Sequence, residues 1–422
     1  MIASAPKDAF SAASAAGCRP TMAEGRRAGM RPPDPSGNPM LRDPAEQKVS
    51  PLELLFDLVF VLGVAELTRH LVARPTWRGA AETIVLYLPM FAVWMYTSWA
   101  ATLYSLDHPR ARRMVIAVMV AALFMNASLT RAFDDAAWVF VATLLAIQLG
   151  RTVWMLTTGL DPINHEHFAR TLVWLAATAP LWIVGAAVSA DLRLAVWAAA
   201  AAIDLAGTWL AHPLVHRRLR SHRLEFGGEH LMERCRLFLL IALGETVVTP
   251  GAALTTAPIR VTTLATGTLA IAGTLCLWWL YFRAEPIALR HVSGTEDVVY
   301  ASRMAANGLL VIIAGLIALA AGNGLVIDHP TRNATVAVGL MLFGGPTLFL
   351  LAQAWYLRLV FGTAPRPQLV TIVALAIGCA AALAVSELVV ALVVVAVLAG
   401  LVTVEHVKKR RSASTEAPMT AE

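Results

Sequence analysis

Residues 51–71 read PLELLFDLVFVLGVAELTRHL. The run is long enough to cross a bilayer, since a spanning helix needs about 20 mostly apolar residues. It nevertheless carries Glu53, Asp57 and Glu66. Serine and proline lead into it, and Glu53 falls where the dipole of a helix N-terminus favours an acid. Glu53 and Asp57 are four residues apart, so one helix face presents both carboxylates. At 1.5 Å per residue, Asp57 lies about 9 Å inside the membrane from the helix start. Such a group costs at least about 2.5–3.5 kcal/mol at the bilayer centre unless it is paired or faces a cavity. Two like charges on one face invite a proton or a cation.

The rest of the chain has the same character. Of 422 residues, 58% are hydrophobic and 15% charged, and mean hydropathy is +0.64. A soluble domain carries about 25% charged residues, so lipid must solvate much of this surface. Twelve candidate spans follow: 51–71, 80–103, 113–130, 135–156, 169–188, 192–212, 231–249, 261–282, 299–320, 333–357, 367–384 and 386–406. The predicted fold is an all-α polytopic transmembrane helix bundle of about 12 helices. The last two candidates abut near Ser386 and read either as a tight hairpin or as one long segment.

Lysine and arginine fix the expected orientation. With the N-terminus inside and alternating spans, only Arg69, Arg74, Arg78, Arg131, Arg193, Arg260 and Arg332 of the 34 Lys and Arg lie outside. That satisfies the positive-inside rule and favours an even helix count, which keeps the KKRR run at 408–411 inside. The formal charge of +6 therefore points to anionic lipid headgroups at cytoplasmic loops rather than to nucleic acid. The expected division is a cytoplasmic tail at 1–50, six helices over 51–212, a basic connector at 213–230, six helices over 231–406 and a basic tail at 407–422. The tail 1–50 lacks an apolar signal-peptide core and reads as disordered; translation starting at Met30 or Met40 would shorten it.

The halves look alike. Glu53 and Glu66 flank the apolar run of the first helix, and Glu233 and Glu245 flank that of the seventh. Trp94 and Tyr96, then His108, match Trp279 and Tyr281, then His291, while Arg113-Met114 matches Arg303-Met304. A six-helix unit returns the chain to its starting side, so this predicts a 6+6 parallel internal repeat. The four aromatics read as an interfacial belt. The counterpart of Asp57 falls near Arg236, which predicts an Asp57–Arg236 ion pair between the halves. Glu233 and Arg151 are further ion-pair candidates, and Asp204, Glu245 and Glu66 join Glu53 and Asp57 as candidates to bind a small solute or cation. Asn126, Asn307 and Asn323 read as interhelical hydrogen-bonding groups. Gly344-Gly345-Pro346 reads as a kink in the tenth helix, and a broken helix there would expose carbonyls to an ion.

Other chemistry finds little purchase. Cys18, Cys235, Cys276 and Cys379 form no ligand spacing. His165-Glu166-His167, His212, His216, His222 and His230 match no zinc set and lie among arginines. With no phosphate loop, nucleophile elbow or HExxH, neither an enzyme nor a cofactor is expected.

PLELLFDLVFV at 51–61, followed by ERCRLFLLIALGETVV at 233–248, resembles the bacterial low temperature requirement protein A (LtrA) family. RDPAEQKVSPLE at 42–53 and the Trp/Tyr pairs fit the same pattern, over about residues 42–405. Cys235-Arg236 departs from it, where a small or aromatic residue and glycine are expected. The resemblance implies an integral protein of the bacterial inner membrane, without an established activity or catalytic residues to carry over. FDLVFV is also similar to the FSD motif of two-repeat, six-plus-six potassium channels, an analogy that keeps a channel in view. The expectations are therefore an ion-coupled secondary transporter, a cation channel, or a sensory or structural membrane protein.

Overall fold

The computed structural model describes residues 40, 49–210, 212, 227–295, 297–363 and 365–416. Most of the expected tail at 1–50, the connector from 213 to 226 and the end of the chain from 417 lie outside the described residues.

The chain is the expected all-α bundle. The first six helices are α1 (Pro51–Ala73), α2 (Trp77–Leu103), α3 (Pro109–Ala127), α4 (Ala137–Leu156), α5 (Pro162–Ala187) and α6 (Ala190–Trp209). There follow α7 (Gly228–Leu243), α8 (Glu245–Thr256), α9 (Val261–Gly294), α10 (Val298–Asp328), α11 (Val336–Phe361), α12 (Arg366–Ala381) and α13 (Glu387–Glu416). Only Gly244 separates α7 from α8, so together they make one pass and the described residues make twelve. Ten of these passes are long and apolar enough to cross a membrane; α1 and α3 fall short of that measure. Both carry charge: three acids and an arginine in α1, and Arg110, Arg112 and Arg113 in the first turns of α3.

Several boundaries differ from the sequence reading. α7 begins at Gly228, which moves His230 from the connector into the helix. α9 runs twelve residues past the expected end at 282, through Pro286, so His291 is helical rather than beyond the helix. α13 runs to Glu416, so residues 407–416 are helix rather than tail. The region near Ser386 resolves as the hairpin. A 3-10 turn at Ala382–Ala384 precedes Ser386, and Arg332 O and Pro330 O accept from Glu387 N and Leu388 N, closing the start of α13.

Local sequence explains the main helix ends. Ser50 accepts from Glu53 N while Glu53 Oε2 accepts from Ser50 N at 2.7 Å, a capping box, with Pro51 in the first turn. Thr76, His108, Asp161 and Thr335 cap α2, α3, α5 and α11 with their side chains. Gly362, at φ 73°, ends α11 in the left-handed conformation that glycine adopts without strain.

α10 fills the middle of the bundle, touching α1, α2, α7, α8, α9, α11 and α13. The expected kink at Gly344-Gly345-Pro346 has another use, because α11 continues unbroken through Pro346. A Cβ on Gly315 of α10 would stand 2.5 Å from the Gly345 carbonyl oxygen, and one on Gly345 would stand 2.7 Å from that of Gly315. The two backbones approach as closely as small residues allow in membrane helix pairs. The local change of winding sits instead at Gly244, whose N–H bonds Ile241 O at 2.9 Å, a tightened 3-10 turn.

Candidate functional site

α1 and α7 start on the same face of the bundle, and their first turns meet in a buried charge cluster. On α1, Glu53 and Asp57 project from one face, both wholly buried. On α7, His230, Arg234 and Phe238 follow at four-residue intervals on the inward stripe with Leu231 and Ala242, all buried. Arg234 Nη2 donates to Asp57 Oδ1 at 2.6 Å and Nε to Asp57 Oδ2 at 3.3 Å, while Nη1 reaches Glu53 Oε1 at 3.3 Å. One guanidinium thus holds both carboxylates, and its planar fork suits the paired oxygens of Asp57. His230 Nε2 stands 3.2 Å from Glu53 Oε1. From α2, Trp94 Nε1 donates to Asp57 Oδ1 at 2.8 Å, and the Trp94 ring stacks on Phe238 at 4.2 Å. Arg234 also lies 5.4 Å from the centre of the Phe56 ring.

This corrects the expected partner of Asp57. The pair forms with Arg234, not Arg236. Positions two apart on a helix face different sides, and Leu231, Arg234 and Phe238 are those turned inward. Arg236 faces out, with Glu233 at 2.7 Å and Glu285 at 3.6 Å. Trp94 and Tyr96 do not form a surface belt either. Trp94 is fully buried, and the Tyr96 hydroxyl bonds Thr208 Oγ1 at 2.9 Å and His212 Nε2 at 3.0 Å. In the second half, Trp279 and Tyr281 are half-buried, and Arg283 lies 5.4 Å from the Trp279 ring centre.

The remaining candidates are scattered. Asp204 on α6 accepts from Thr178 Oγ1 at 2.7 Å and Trp182 Nε1 at 3.0 Å, both on α5. Glu245 is buried just after Gly244 and accepts from Thr249 one turn on. Glu66 pairs with Arg69 at 2.7 Å. Asn126 Nδ2 donates to Val59 O of α1 at 2.7 Å, an interhelical bond of the expected kind. Arg151 makes no ion pair among the described residues; Nη1 donates to Thr97 Oγ1 at 2.9 Å and Val93 O at 3.2 Å.

A second cluster lies at the other end of α1. Buried Glu82 of α2 takes His70 at 3.1 Å, Arg74 at 3.1 Å and Arg78 at 2.9 Å, and Arg74 reaches Asp134 at 2.7 Å. On the same face, bonding to Arg131 holds the Asp135 carboxyl below its ordinary range. The sequence reading passes over Glu82, places His230 in the connector, and sets Arg234 aside in favour of Arg236 as the partner of Asp57. The four-residue spacing His230–Arg234–Phe238 within a helical apolar stripe was the signal for the last two. Glu82, at the start of an apolar run, offered only its spacing from Arg78.

No solved structure matches. A protein described as uncharacterized, from Rhizobium meliloti (strain 1021), is 29% identical over 319 residues, covering 74% of this chain and 78% of the relative. Residues 48–403 match the profile described as bacterial low temperature requirement A protein, a match that takes in both halves and both acid-bearing motifs, and so the chain belongs to the LtrA family.

Proposed function

We propose that the protein is an ion-coupled secondary transporter of the bacterial inner membrane, with both termini cytoplasmic and no catalytic step. The observation that carries this reading is the buried cluster joining α1 to α7. Each helix opens one half of the chain. Among the described residues, Glu53 and Asp57 share the Arg234 guanidinium, and Glu53 also meets His230. Taking up or losing a proton or a cation there changes how tightly α1 holds α7, which is what coupling requires. Asp204 and Glu245 are further positions for the same ion.

The neighbour pattern supports a repeat. With α7–α8 taken as one element, α1 with α3, α3 with α4, α4 with α5, α5 with α6 and α2 with α6 correspond to α7 with α10, α10 with α11, α11 with α12, α12 with α13 and α9 with α13. The correspondence ends at the interface, where α10 packs on α1 and lies central while α3 stays peripheral.

A specific observation favours the sensory or structural reading as the second. Asp57 and Asp204 are hydrogen-bonded inside the protein, and the described cavities are lined by other residues. Flux measured in proteoliposomes with a pH dye and a potential dye separates the readings. A solute or cation flux abolished by Asp57→Asn or Asp204→Asn supports the transporter, conductive uncoupled flux the channel, and no flux under any gradient the second reading.

A further inference from the structure

A cavity of about 490 Å³ opens between α3 and α4. Arg110 and Arg113 from the first turns of α3 border it, as does Arg151 from the penultimate turn of α4, with Ala121, Ile147 and Trp154 forming its apolar part. Arg110 and Arg113 are exposed, and neither has a carboxylate within ion-pair distance among the described residues. Arg151 is only 3% exposed, and its Nη2 donates to nothing. A buried guanidinium without a counter-charge is costly. An oxyanion in the crevice would supply the missing charge.

The apolar part says what carries the anion. Gly150, beside Arg151, lines the crevice, and a Cβ built there meets no atom within 4 Å. Elsewhere on the two helices the apolar side chains of Val120 and Phe124 on α3 and of Val139 and Val153 on α4 are exposed, as they are on a lipid-facing surface. An arginine-lined head continuous with a shallow apolar furrow fits a phosphate attached to an acyl chain. We propose that the crevice between α3 and α4 is a binding site for the phosphate of an anionic phospholipid, held by Arg110, Arg113 and Arg151 with one chain lying along Gly150 and Ile147. Inorganic phosphate shares the headgroup chemistry but leaves the furrow empty.

The test uses the full-length protein purified in neutral detergent. Native mass spectrometry measures binding of phosphatidylglycerol, phosphatidylcholine and inorganic phosphate to wild type, to Arg110→Gln/Arg113→Gln and to Gly150→Trp. The exposed arginines and the open space at Gly150 make these variants compatible with folding, which thermal unfolding checks. At about fivefold per arginine near a membrane surface, the double variant should bind phosphatidylglycerol roughly 25-fold more weakly. Gly150→Trp should lose the tight phosphatidylglycerol molecule while keeping all three charges, and phosphatidylcholine should not distinguish the proteins. Equal phosphatidylglycerol binding by all three proteins would overturn the site. Retention by Gly150→Trp, or inorganic phosphate displacing the lipid, would overturn the assignment to a lipid.

Discussion

Replacing Arg234 with methionine removes the one guanidinium that faces two buried carboxylates. The loss can be bounded from the geometry. Arg234 gives two N–H groups to Asp57 and one to Glu53, at 2.6, 3.3 and 3.3 Å, on a side chain 1% exposed. Without it, Asp57 keeps Trp94 and Glu53 keeps His230 and Ser50. Breaking a buried pair by deleting one partner costs about 3–5 kcal/mol. Two buried acids losing the same guanidinium place Arg234→Met at the upper end of that range. Arg234→Lys keeps the charge but loses the fork, and should cost less. Arg236→Met removes a half-exposed side chain bonded to Glu233 and should cost no more than about 1 kcal/mol. The assay is reversible unfolding in mixed micelles by titration with sodium dodecyl sulfate, followed by circular dichroism. A double-mutant cycle of Asp57→Asn with Arg234→Gln should give a coupling of about 2 kcal/mol or more. Additive single effects, or an Arg236→Met loss equal to that of Arg234→Met, would refute the pairing.

Two other perturbations test the packing, both read in the same titration. Glu82→Ala leaves His70, Arg74 and Arg78 without their shared acid and should destabilise by about 2–3 kcal/mol, less than Arg234→Met because Arg74 and Arg78 reach water; a change within error would show that the α1–α2 end holds without it. Gly345→Val pushes a branched side chain against the Gly315 carbonyl and should cost about 1–3 kcal/mol or prevent folding, whereas the same change at Gly344, where a Cβ meets nothing within 4 Å, should be mild; equal effects would remove the close α10–α11 approach from the account.

The helices were legible because apolar length is the dominant signal in a lipid-solvated chain, and the even count followed from arginine placement. The shared face of Glu53 and Asp57 was legible from their spacing alone. Their partner was not, because the choice between Arg234 and Arg236 depends on which face of α7 turns inward. The repeat argument favoured Arg236, and the apolar stripe through Leu231, Phe238 and Ala242 decides for Arg234. Trp94 looked like an interfacial residue because tryptophan in a span often is. Its burial depends on α2 lying between α6 and α7, a tertiary fact. Gly344-Gly345-Pro346 shows the same ambiguity, since glycine beside proline reads as a break until a facing glycine such as Gly315 appears. The reading of the α3–α4 crevice depends on Arg151 making no ion pair among the described residues, which no linear pattern reveals.

In the proposed function, the α1–α7 cluster couples an ion to movement of a solute. The direct measurement is solute-driven proton or cation movement in sealed proteoliposomes, comparing wild type with Asp57→Asn and with Arg236→Met as a control outside the cluster. Coupled movement is expected in wild type and in Arg236→Met, and solute movement without the coupled ion, or no movement, in Asp57→Asn. Coupling unchanged in a folded, monodisperse Asp57→Asn protein would contradict that function.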